Sequence, residues 1–244
     1  MSVLDPRLAG VRLRLAEVER IVAVSGGKGG IGKSVVASTL ALALAERGLA
    51  TGLFDLDLTG PCDHLILGLG ERQPSEEFGL DPPRVHGVRF LSVSYFAGER
   101  PAPLRGEELS DALIELLAVG HWGPTDVLVI DMPPGLGDAS LDLVRLLRAA
   151  EYLVLANPSR VVLETVRRTL TFHRELGSRV AGVVENMSRG APAASRSLAE
   201  EFGVPFLGSV PFDAELEGAL GDARRLLATR AGAAIRALAA TLAA

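Results

Sequence analysis

The sequence predicts a three-layer α/β fold, in which a mostly parallel central sheet is covered by helices on both faces. Short apolar runs typical of buried strands alternate along the chain with longer helical patterns. Several of these runs end in glycine-rich or acidic motifs, and parallel sheets collect ligand-binding residues at this edge. With 244 residues, 48% of them hydrophobic, the chain is long enough for a single domain over residues 1–244.

The order of the elements follows from the apolar periodicity and from the turn residues between the runs. A helical extension occupies residues 1–19, with its helix from Asp5 to about Val18. The predicted strands cover residues 21–24, 49–54, 88–93, 126–130, 152–156, 180–184 and 205–207. The predicted helices cover residues 35–47, 107–119, 138–149 and 161–176, then a stretch ending at 202 and two terminal helices. Residues 70–87 and 95–106 are expected to be irregular.

The first strand leads into a phosphate-binding loop with the pattern Gly27-x4-Gly32-Lys33-Ser34. Its glycines let backbone N–H groups turn inward around phosphate oxygens, and the following helix points its positive end at the same phosphates. Lys33 would reach the terminal phosphates, and the Ser34 hydroxyl would ligate Mg²⁺. The predicted nucleotide-binding residues of this region are Gly27, Lys28, Gly29, Gly30, Ile31, Gly32, Lys33, Ser34 and Val35.

Both lysines of the chain, Lys28 and Lys33, lie in this loop, and every other basic residue apart from the histidines is arginine. Lysine is a compact point charge on a flexible stem, whereas arginine is a broad planar fork. A tightly wrapped phosphate has room for the first and not for the second. We therefore predict that both lysines act on a nucleotide.

Acidic residues follow two of the predicted strands. Asp131 comes directly after a buried run and would hold Mg²⁺ through water beside the phosphate loop. Asp55 and Asp57 end the second strand two residues apart, so strand alternation would place them on one face. One can then support Mg²⁺ while the other positions an attacking water. The alternative for Asp55 and Asp57 is a pair of solvated turn carboxylates, and the alternative for Asp131 is an exposed aspartate at a strand end before a proline turn.

Lys28 directly before Gly-Gly-x-Gly-Lys-Ser resembles the deviant Walker A motif of the MinD/ParA/Mrp family of P-loop ATPases. The segments 55–61, 129–138, 183–188 and 207–211 are similar to the switch and adenine-binding segments of the Mrp branch. The resemblance implies an ATP-bound homodimer in which Lys28 reaches the partner's nucleotide. It also implies an ATPase with Asp57 as the catalytic and Asp55 as the metal-side aspartate. Hydrolysis is expected to be slow, because the useful output of such a switch is the conformational change. By the same resemblance Asn186 would bind adenine, flanked by Pro211 and Phe212.

One segment departs from the Mrp pattern. Iron–sulfur carriers of this type have a Cys-x-x-Cys pair shortly after Asn-Met-Ser, whereas residues 189–195 here contain no cysteine. The chain resembles instead the ATPases that help load nickel into hydrogenase precursors, and Pro103-Leu104-Arg105-Gly106-Glu107-Glu108 adds to the likeness. This implies nickel delivery, with a metallochaperone or a client metalloprotein as partner. An iron–sulfur cluster carrier, a MinD/ParA-like positioning ATPase and a small-molecule kinase remain alternatives.

Cys62 and His64 follow the first acidic motif, near where a family dimer would have its axis. A thiolate and an imidazole are good ligands for nickel or zinc, and two copies could supply four donors. The favoured interpretation is a buried Cys62 followed by a capping Asp63 at a helix start.

Composition bounds the partners and the compartment. The net charge is −5 and the arginines are scattered, so neither DNA nor a membrane is expected as a partner. The first twenty residues lack an apolar signal core, and no apolar stretch reaches the ~20 residues of a membrane span. The single cysteine excludes an intrachain disulfide, so we expect a cytoplasmic protein. The basic terminal helices are expected to pack on the sheet rather than to form a membrane-surface tail.

Overall fold

The computed structural model describes residues 7–76, 79–97 and 107–243. Its strands are β1 (Val18–Gly26), β2 (Thr51–Asp55), β3 (Ser75–Glu76), β4 (Leu80–Asp81), β5 (Arg84–Val85), β6 (Val88–Ser92), β7 (Thr125–Asp131), β8 (Glu151–Ala156), β9 (Arg179–Ser188) and β10 (Phe206–Pro211). Its helices are α1 (Arg7–Leu15), α2 (Lys33–Glu46), α3 (Asp63–Leu67), α4 (Ser94–Ala97), α5 (Glu107–Val119), α6 (Asp138–Leu146), α7 (Arg160–Leu176), α8 (Ala193–Phe202), α9 (Ala223–Ala228) and α10 (Arg230–Leu242), with a 3₁₀ turn at Glu217–Ala219.

Eight strands form one sheet in the order β10-β9-β8-β1-β7-β2-β6-β5, and β3 and β4 form a separate antiparallel pair. Within the large sheet every neighbouring pair is parallel except β5 and β6. Because β1, β7 and β2 are adjacent and parallel, their carboxyl ends meet at one edge of the sheet. The glycine-rich loop and both acidic motifs follow these three strands, so the topology brings the predicted site together.

Each face of the sheet packs against its own apolar layer of helices. Helix α2 is buried almost all round, as its unbroken run of apolar and small residues requires, and contacts α10 through a cluster that includes Ile235 and Leu238. The other face packs on α1, α5 and α6 and contains Trp122, whose ring centroid lies 5.2 Å from that of Phe54. The predicted three-layer fold is confirmed, and the last helix packs on the core rather than forming a separate tail.

Strand boundaries differ from the prediction where neighbouring strands supply partners. Val18, predicted as the end of the first helix, is instead the first residue of β1 and pairs with Thr125. Parallel neighbours on both sides extend β1 to Gly26, and β9 likewise runs on to Ser188 beyond the predicted end. The stretch 70–87, predicted to be irregular, contains the short strands β3, β4 and β5. Of the other stretch predicted to be irregular, 95–106, the first residues belong to α4 and residues 98–106 lie outside the described part of the chain.

Within the described ranges, no helix combines the length and the apolar character needed to cross a bilayer.

Candidate nucleotide and metal site

The glycine-rich loop of residues 27–32 joins β1 to α2 at the carboxyl edge of the sheet. Gly30 and Gly32 have φ angles of 76° and 82°, a left-handed conformation that residues with a Cβ rarely adopt. A Cβ on Gly32 would also lie 2.4 Å from Nδ2 of Asn186. The loop therefore has the backbone conformation and the close approach that a phosphate cradle requires.

Helix α2 begins directly after the loop, with Gly32 at its N-cap position and no side chain capping its first turn. Uncapped N–H groups and the helix dipole both favour an anion at this point. Lys33 is buried at the first position of the helix, whereas Lys28 is exposed on the loop. The structure thus places one lysine beside the buried carboxylates and the other at the surface.

Asp131 ends β7 next to the start of α2. Its Oδ2 accepts a hydrogen bond from Ser34 Oγ at 2.5 Å, while its Oδ1 is buried without a hydrogen-bond partner among the described residues. Burial raises the pKa of Asp131 to about 6, although the Lys33 charge and the Ser34 hydrogen bond oppose this shift. A buried, unsatisfied carboxylate oxygen beside a serine hydroxyl fits a hard cation such as Mg²⁺.

Asp55 ends β2 directly opposite Asp131 in the strand register. Its Oδ1 accepts the N–H of Asp57 at 3.1 Å, and its Oδ2 accepts the hydroxyl of Ser92 at 2.9 Å. Burial, and then the neighbouring Asp131 charge, raise the pKa of Asp55 to about 7. Just beyond the strand, Leu56 donates its N–H to the carbonyl oxygen of Asp131 at 3.0 Å, which joins the two acidic motifs through the backbone.

Asp57 does not share a strand face with Asp55, so this part of the prediction is wrong. The strand ends at Asp55, and Asp57 belongs to the turn that follows. Its Oδ1 accepts the N–H groups of Thr59 and Gly60 at 3.0 and 3.2 Å and the Thr59 hydroxyl at 2.5 Å. The turn therefore fixes the Asp57 carboxylate close enough for its charge to act on Asp55 and Asp131. The role of Asp57 in positioning water stays a prediction.

Sequence reasoning missed Asp63. The predicted capping role is wrong, because Cys62 occupies the N-cap position of α3 and makes no side-chain cap, while Asp63 accepts a hydrogen bond from Ser38 Oγ at 2.7 Å. Asp63 is completely buried, and burial together with the charges of Asp131 and Asp55 raises its pKa well above the usual value. A carboxylate within an apolar run just after a ligand loop was the signal that could have found it.

Cys62 is half-buried beside the same edge. Burial raises the pKa of its thiol to about 11, although a hydrogen bond with Ser34 opposes the shift. Burial also lowers the pKa of His64, whose Nδ1 has no hydrogen-bond partner among the described residues. The thiol therefore faces the predicted Mg²⁺ ligands and is held in its neutral form, an environment that does not favour a thiolate ligand for a soft metal.

The predicted base-binding residues lie at the ends of β9 and β10. Asn186 belongs to β9 rather than to a turn, and its Nδ2 donates to the carbonyl oxygen of Ile31 at 2.8 Å, which ties this strand to the phosphate loop. Pro211 and Phe212 line an open cleft of about 580 Å³. The guanidinium of Arg189 lies 4.4 Å from the centroid of the exposed Phe212 ring. This cleft is where the predicted adenine contacts would form.

The segment that lacks the cysteine pair is short and internally bonded. Glu185 is buried at the end of β9, and its two carboxylate oxygens accept the hydroxyls of Ser188 and Ser195 at 2.7 and 2.6 Å. Helix α8 already begins at Ala193. Residues 103–108, which add to the resemblance to the nickel-loading ATPases, lie mostly outside the described part of the chain. Residues 101–106 are not described, and Glu107 and Glu108 begin α5.

Comparisons with known proteins show the family of the chain. A family model described as NUBPL iron-transfer P-loop NTPase, in the ParA group, matches residues 17–243. The chain is 35% identical over 222 residues to an iron–sulfur cluster carrier protein of Synechocystis, covering 83% of this chain and 63% of that protein. It is 36% identical, over a match spanning 257 positions, to an iron–sulfur cluster carrier protein of Deinococcus radiodurans, covering 96% of this chain and 72% of that protein. The chain therefore spans less than two thirds of the Synechocystis relative.

Solved structures show the same fold. A nucleotide-binding protein from Archaeoglobus fulgidus in complex with ADP superimposes with a TM-score of 0.74 and 26% identity, over 90% of this chain and 92% of that one. The septum site-determining protein MinD from Pyrococcus horikoshii, complexed with Mg-ADP, has a TM-score of 0.70 at 20% identity, over 91% and 95% of the two chains. On the family match and the relatives together, the chain belongs to the NUBPL-type iron-transfer P-loop NTPases of the ParA group.

Proposed function

We propose that the chain is a Mg²⁺-dependent ATPase that works as a homodimeric switch in metal-centre assembly, with iron–sulfur proteins as its clients. The observation that carries the ATPase is the contact between Ser34 and the buried Asp131 beside Lys33. The names of the relatives, iron–sulfur cluster carrier proteins, support the class of client.

Hydrolysis is assigned to positioning and electrostatics at the sheet edge. Lys33 and the N–H groups of the loop hold the phosphates, and Asp57 orients the attacking water. Ser34 and Asp131 would hold Mg²⁺, which supplies neutralisation of the phosphate charge when it is bound. Asp55 supports this edge from the neighbouring strand through its hydrogen bonds to Ser92 and to the Asp57 N–H.

Dimerisation is assigned to ATP and to Lys28. The side chain of Lys28 is exposed on the phosphate loop, whereas Lys33 is buried, so the two ammonium groups cannot have the same task. An exposed ammonium next to the bound triphosphate is free to act on the nucleotide of a second copy. Hydrolysis then removes the charge that holds the two copies together and releases the client.

The residues of this chain do not fit a bridging iron–sulfur cluster of the family type. Such clusters are held by about four thiolates. A dimer of this chain offers only its two copies of Cys62, and burial keeps that thiol protonated near the Ser34 hydroxyl. We therefore assign the cluster to the client or to a partner carrier, and we assign the conformational work to this chain.

Nickel delivery to hydrogenase precursors, which the sequence favoured, gains no support from the comparisons. Its remaining basis is the missing cysteine pair in residues 189–195 and the likeness of residues 103–108. The likeness to MinD, at 20% identity, supports the fold and does not carry over a positioning role.

The test is an affinity capture with the whole chain, performed anaerobically with a non-hydrolysable ATP analogue or with ADP. Proteins retained only with the analogue are identified, and their iron, sulfide and nickel contents are measured. Iron–sulfur proteins are expected in the analogue fraction, and a nickel protein there would replace the proposed client. Lys33→Ala is the control, because a chain that cannot bind the triphosphate must retain nothing in either state.

A further inference from the structure

We propose that Asp63 joins Asp55 and Asp131 in a three-carboxylate site that binds one Mg²⁺ or Mn²⁺ ion before any nucleotide is present. The inference goes beyond the ATPase proposed above, because it concerns the nucleotide-free chain and needs neither a client nor a dimer. It assigns a metal-binding role to Asp63, a residue that the phosphate-loop pattern does not include.

The three side chains converge from three different elements. Asp55 ends β2, Asp131 ends β7 and Asp63 begins α3, and none of them is exposed to solvent. One oxygen from each carboxylate lies within 4.8 Å of the others. Two ligand oxygens on one octahedral ion at ~2.1 Å are about 3.0 or 4.2 Å apart, so this spacing suits a single small divalent cation.

Two oxygens of the cluster also lack any other partner. Oδ2 of Asp63 and Oδ1 of Asp131 are buried and accept no hydrogen bond within the described part of the chain. A buried polar atom in a native protein normally has a partner, and leaving a charged one unsatisfied costs free energy. Both vacant acceptors therefore point to a ligand that the cluster is built to receive.

Charge in the surroundings leads to the same conclusion. Lys33 is a buried basic side chain whose charge acts on both Asp63 and Asp131. With all three groups ionised, as metal binding requires, a single ammonium balances one of the three carboxylates. A divalent cation balances the other two, and an all-oxygen donor set selects Mg²⁺ or Mn²⁺ over softer metals.

Ser38 supports the position of Asp63. Its hydroxyl lies on α2 and donates to Oδ1 of Asp63 at 2.7 Å, which leaves the second oxygen available. Ser34, one turn earlier on the same helix, contacts Asp131. The phosphate helix thus orients two of the three carboxylates, so that an ion bound here lies next to the phosphate loop before ATP arrives.

The experiment uses the full chain after removal of metal and nucleotide. Mn²⁺ is titrated and followed by electron paramagnetic resonance, with Mg²⁺ as the competitor, and the variants are Asp63→Asn and the exposed control Asp81→Asn. About one Mn²⁺ per chain is expected for the wild type and for Asp81→Asn, with affinity reduced about 10- to 100-fold in Asp63→Asn. Binding of ADP in the presence of chelator reports whether the variant loop is folded.

Thermal unfolding provides a second readout, in which Asp63→Asn is expected to gain stability while it loses metal affinity. In chelator, Asp63→Asn is expected to unfold at a higher temperature than the wild type, because a carboxyl group that is costly to bury has been replaced by a neutral amide. Added Mg²⁺ is expected to stabilise the wild type and Asp81→Asn more than Asp63→Asn. Asparagine is the isostere of a protonated aspartate, so equal Mn²⁺ affinity in wild type and variant would mean that Asp63 is merely a neutral buried acid. That result, or no Mn²⁺ binding to the nucleotide-free wild type, would overturn the proposal.

Discussion

Two regions at the carboxyl edge of the sheet, the ends of β1, β2 and β7 and the end of β9, differ in which residues of the family motifs they contain. The ends of β1, β2 and β7 bring together Lys33, Ser34 and Asp131, which are among the groups proposed to bind a nucleotide and its metal. The end of β9 keeps Asn186, which bonds to the phosphate loop, but leads into a segment of residues 189–195 with no thiol. Glu185 accepts hydrogen bonds from Ser188 and Ser195, which border the stretch where the Mrp resemblance would place a cysteine pair.

The difference separates the proposed ATPase site from the segment that would bind an iron–sulfur cluster in the Mrp-type carriers. Buried carboxylates at the first region are costly for folding unless they serve a ligand, so their presence favours a working nucleotide site. The second region has an ordinary structural network of hydrogen bonds. The chain therefore combines the switch of its family with a segment that cannot bind a cluster as a cysteine pair would.

The largest effect is expected from Lys33→Ala, which removes the buried ammonium from the first region. Phosphate release should fall about 100-fold or more, because an electrostatic contact in a buried site is lost. Lys33→Arg should fail similarly, since a planar fork does not replace a point charge. If either variant retained most of the ATPase activity, the assignment of the ATPase site to this edge of the sheet would be wrong.

Lys28→Ala should separate binding from hydrolysis. ADP binding, followed by thermal shift, is expected to remain, because this exposed side chain is not needed to fold the loop. Dimerisation with a non-hydrolysable ATP analogue, measured by light scattering, should be lost, and hydrolysis should fall about 100-fold or more. A dimer that forms normally in this variant would contradict the role across the two-fold axis.

The second region can be tested by restoring what it lacks. The double variant Ala191→Cys, Ala194→Cys places a Cys-x-x-Cys pair in the exposed part of the segment. After anaerobic reconstitution its dimer should gain a visible absorption band from one cluster on about four thiolates, whereas the wild type should show none. Adding Cys62→Ala should leave the band unchanged. An absorption band of equal strength in the wild type would contradict the conclusion that this chain cannot bind a cluster.

A pH experiment sharpens the contrast between the acidic edge and the core behind it. Burial lowers the pKa of His173 from 6.5 to about 4, and its ring lies 4.3 Å from that of Tyr152. The stability that neutral His173 contributes is therefore present above pH 6.5 and is lost as pH falls toward 4. Asp55, whose pKa is raised to about 7, has the opposite sign, and its contribution is lost as pH rises through that value.

The difference in unfolding free energy between the wild type and His173→Phe isolates the histidine, because the carboxylates are common to both proteins. It should fall by about 2 kcal/mol between pH 7 and pH 5. Urea denaturation in the presence of chelator measures it. If the unfolding free energies of the two proteins changed in parallel with pH over this range, the pKa of His173 would not be lowered by burial.

The sequence was most informative where chemistry depends on neighbours along the chain. The phosphate loop and the strand that ends at Asp131 follow from local spacing and apolar runs, and the predicted fold with helices on both faces is confirmed. Even the helix over residues 107–119 has the predicted bounds. Each of these features needs only a periodicity or a motif, together with the rule that parallel strands collect ligands at one edge.

Features that depend on distant parts of the chain were missed. Asp63 was predicted to cap a helix because its true partner, Ser38, lies 25 residues earlier in the sequence. The extension of β9 over Asn186 depends on pairing with β10, which local residue preferences do not show. The end of β2 at Asp55 likewise removed the face-sharing argument for Asp57. Contacts of this kind are set by how the sheet assembles and not by the pattern of a single segment.

The single N–H bond from Leu56 to the Asp131 carbonyl has a practical consequence. It links Leu56, which lies between Asp55 and Asp57, to Asp131 at the end of β7, so the two segments cannot part without exposing this amide to water. Deuterium uptake at Leu56 would therefore act as a clock for the ATPase cycle, slow while the edge is closed and fast once it opens. The exchange of one backbone amide between Asp55 and Asp57 would thus report whether the two segments are joined.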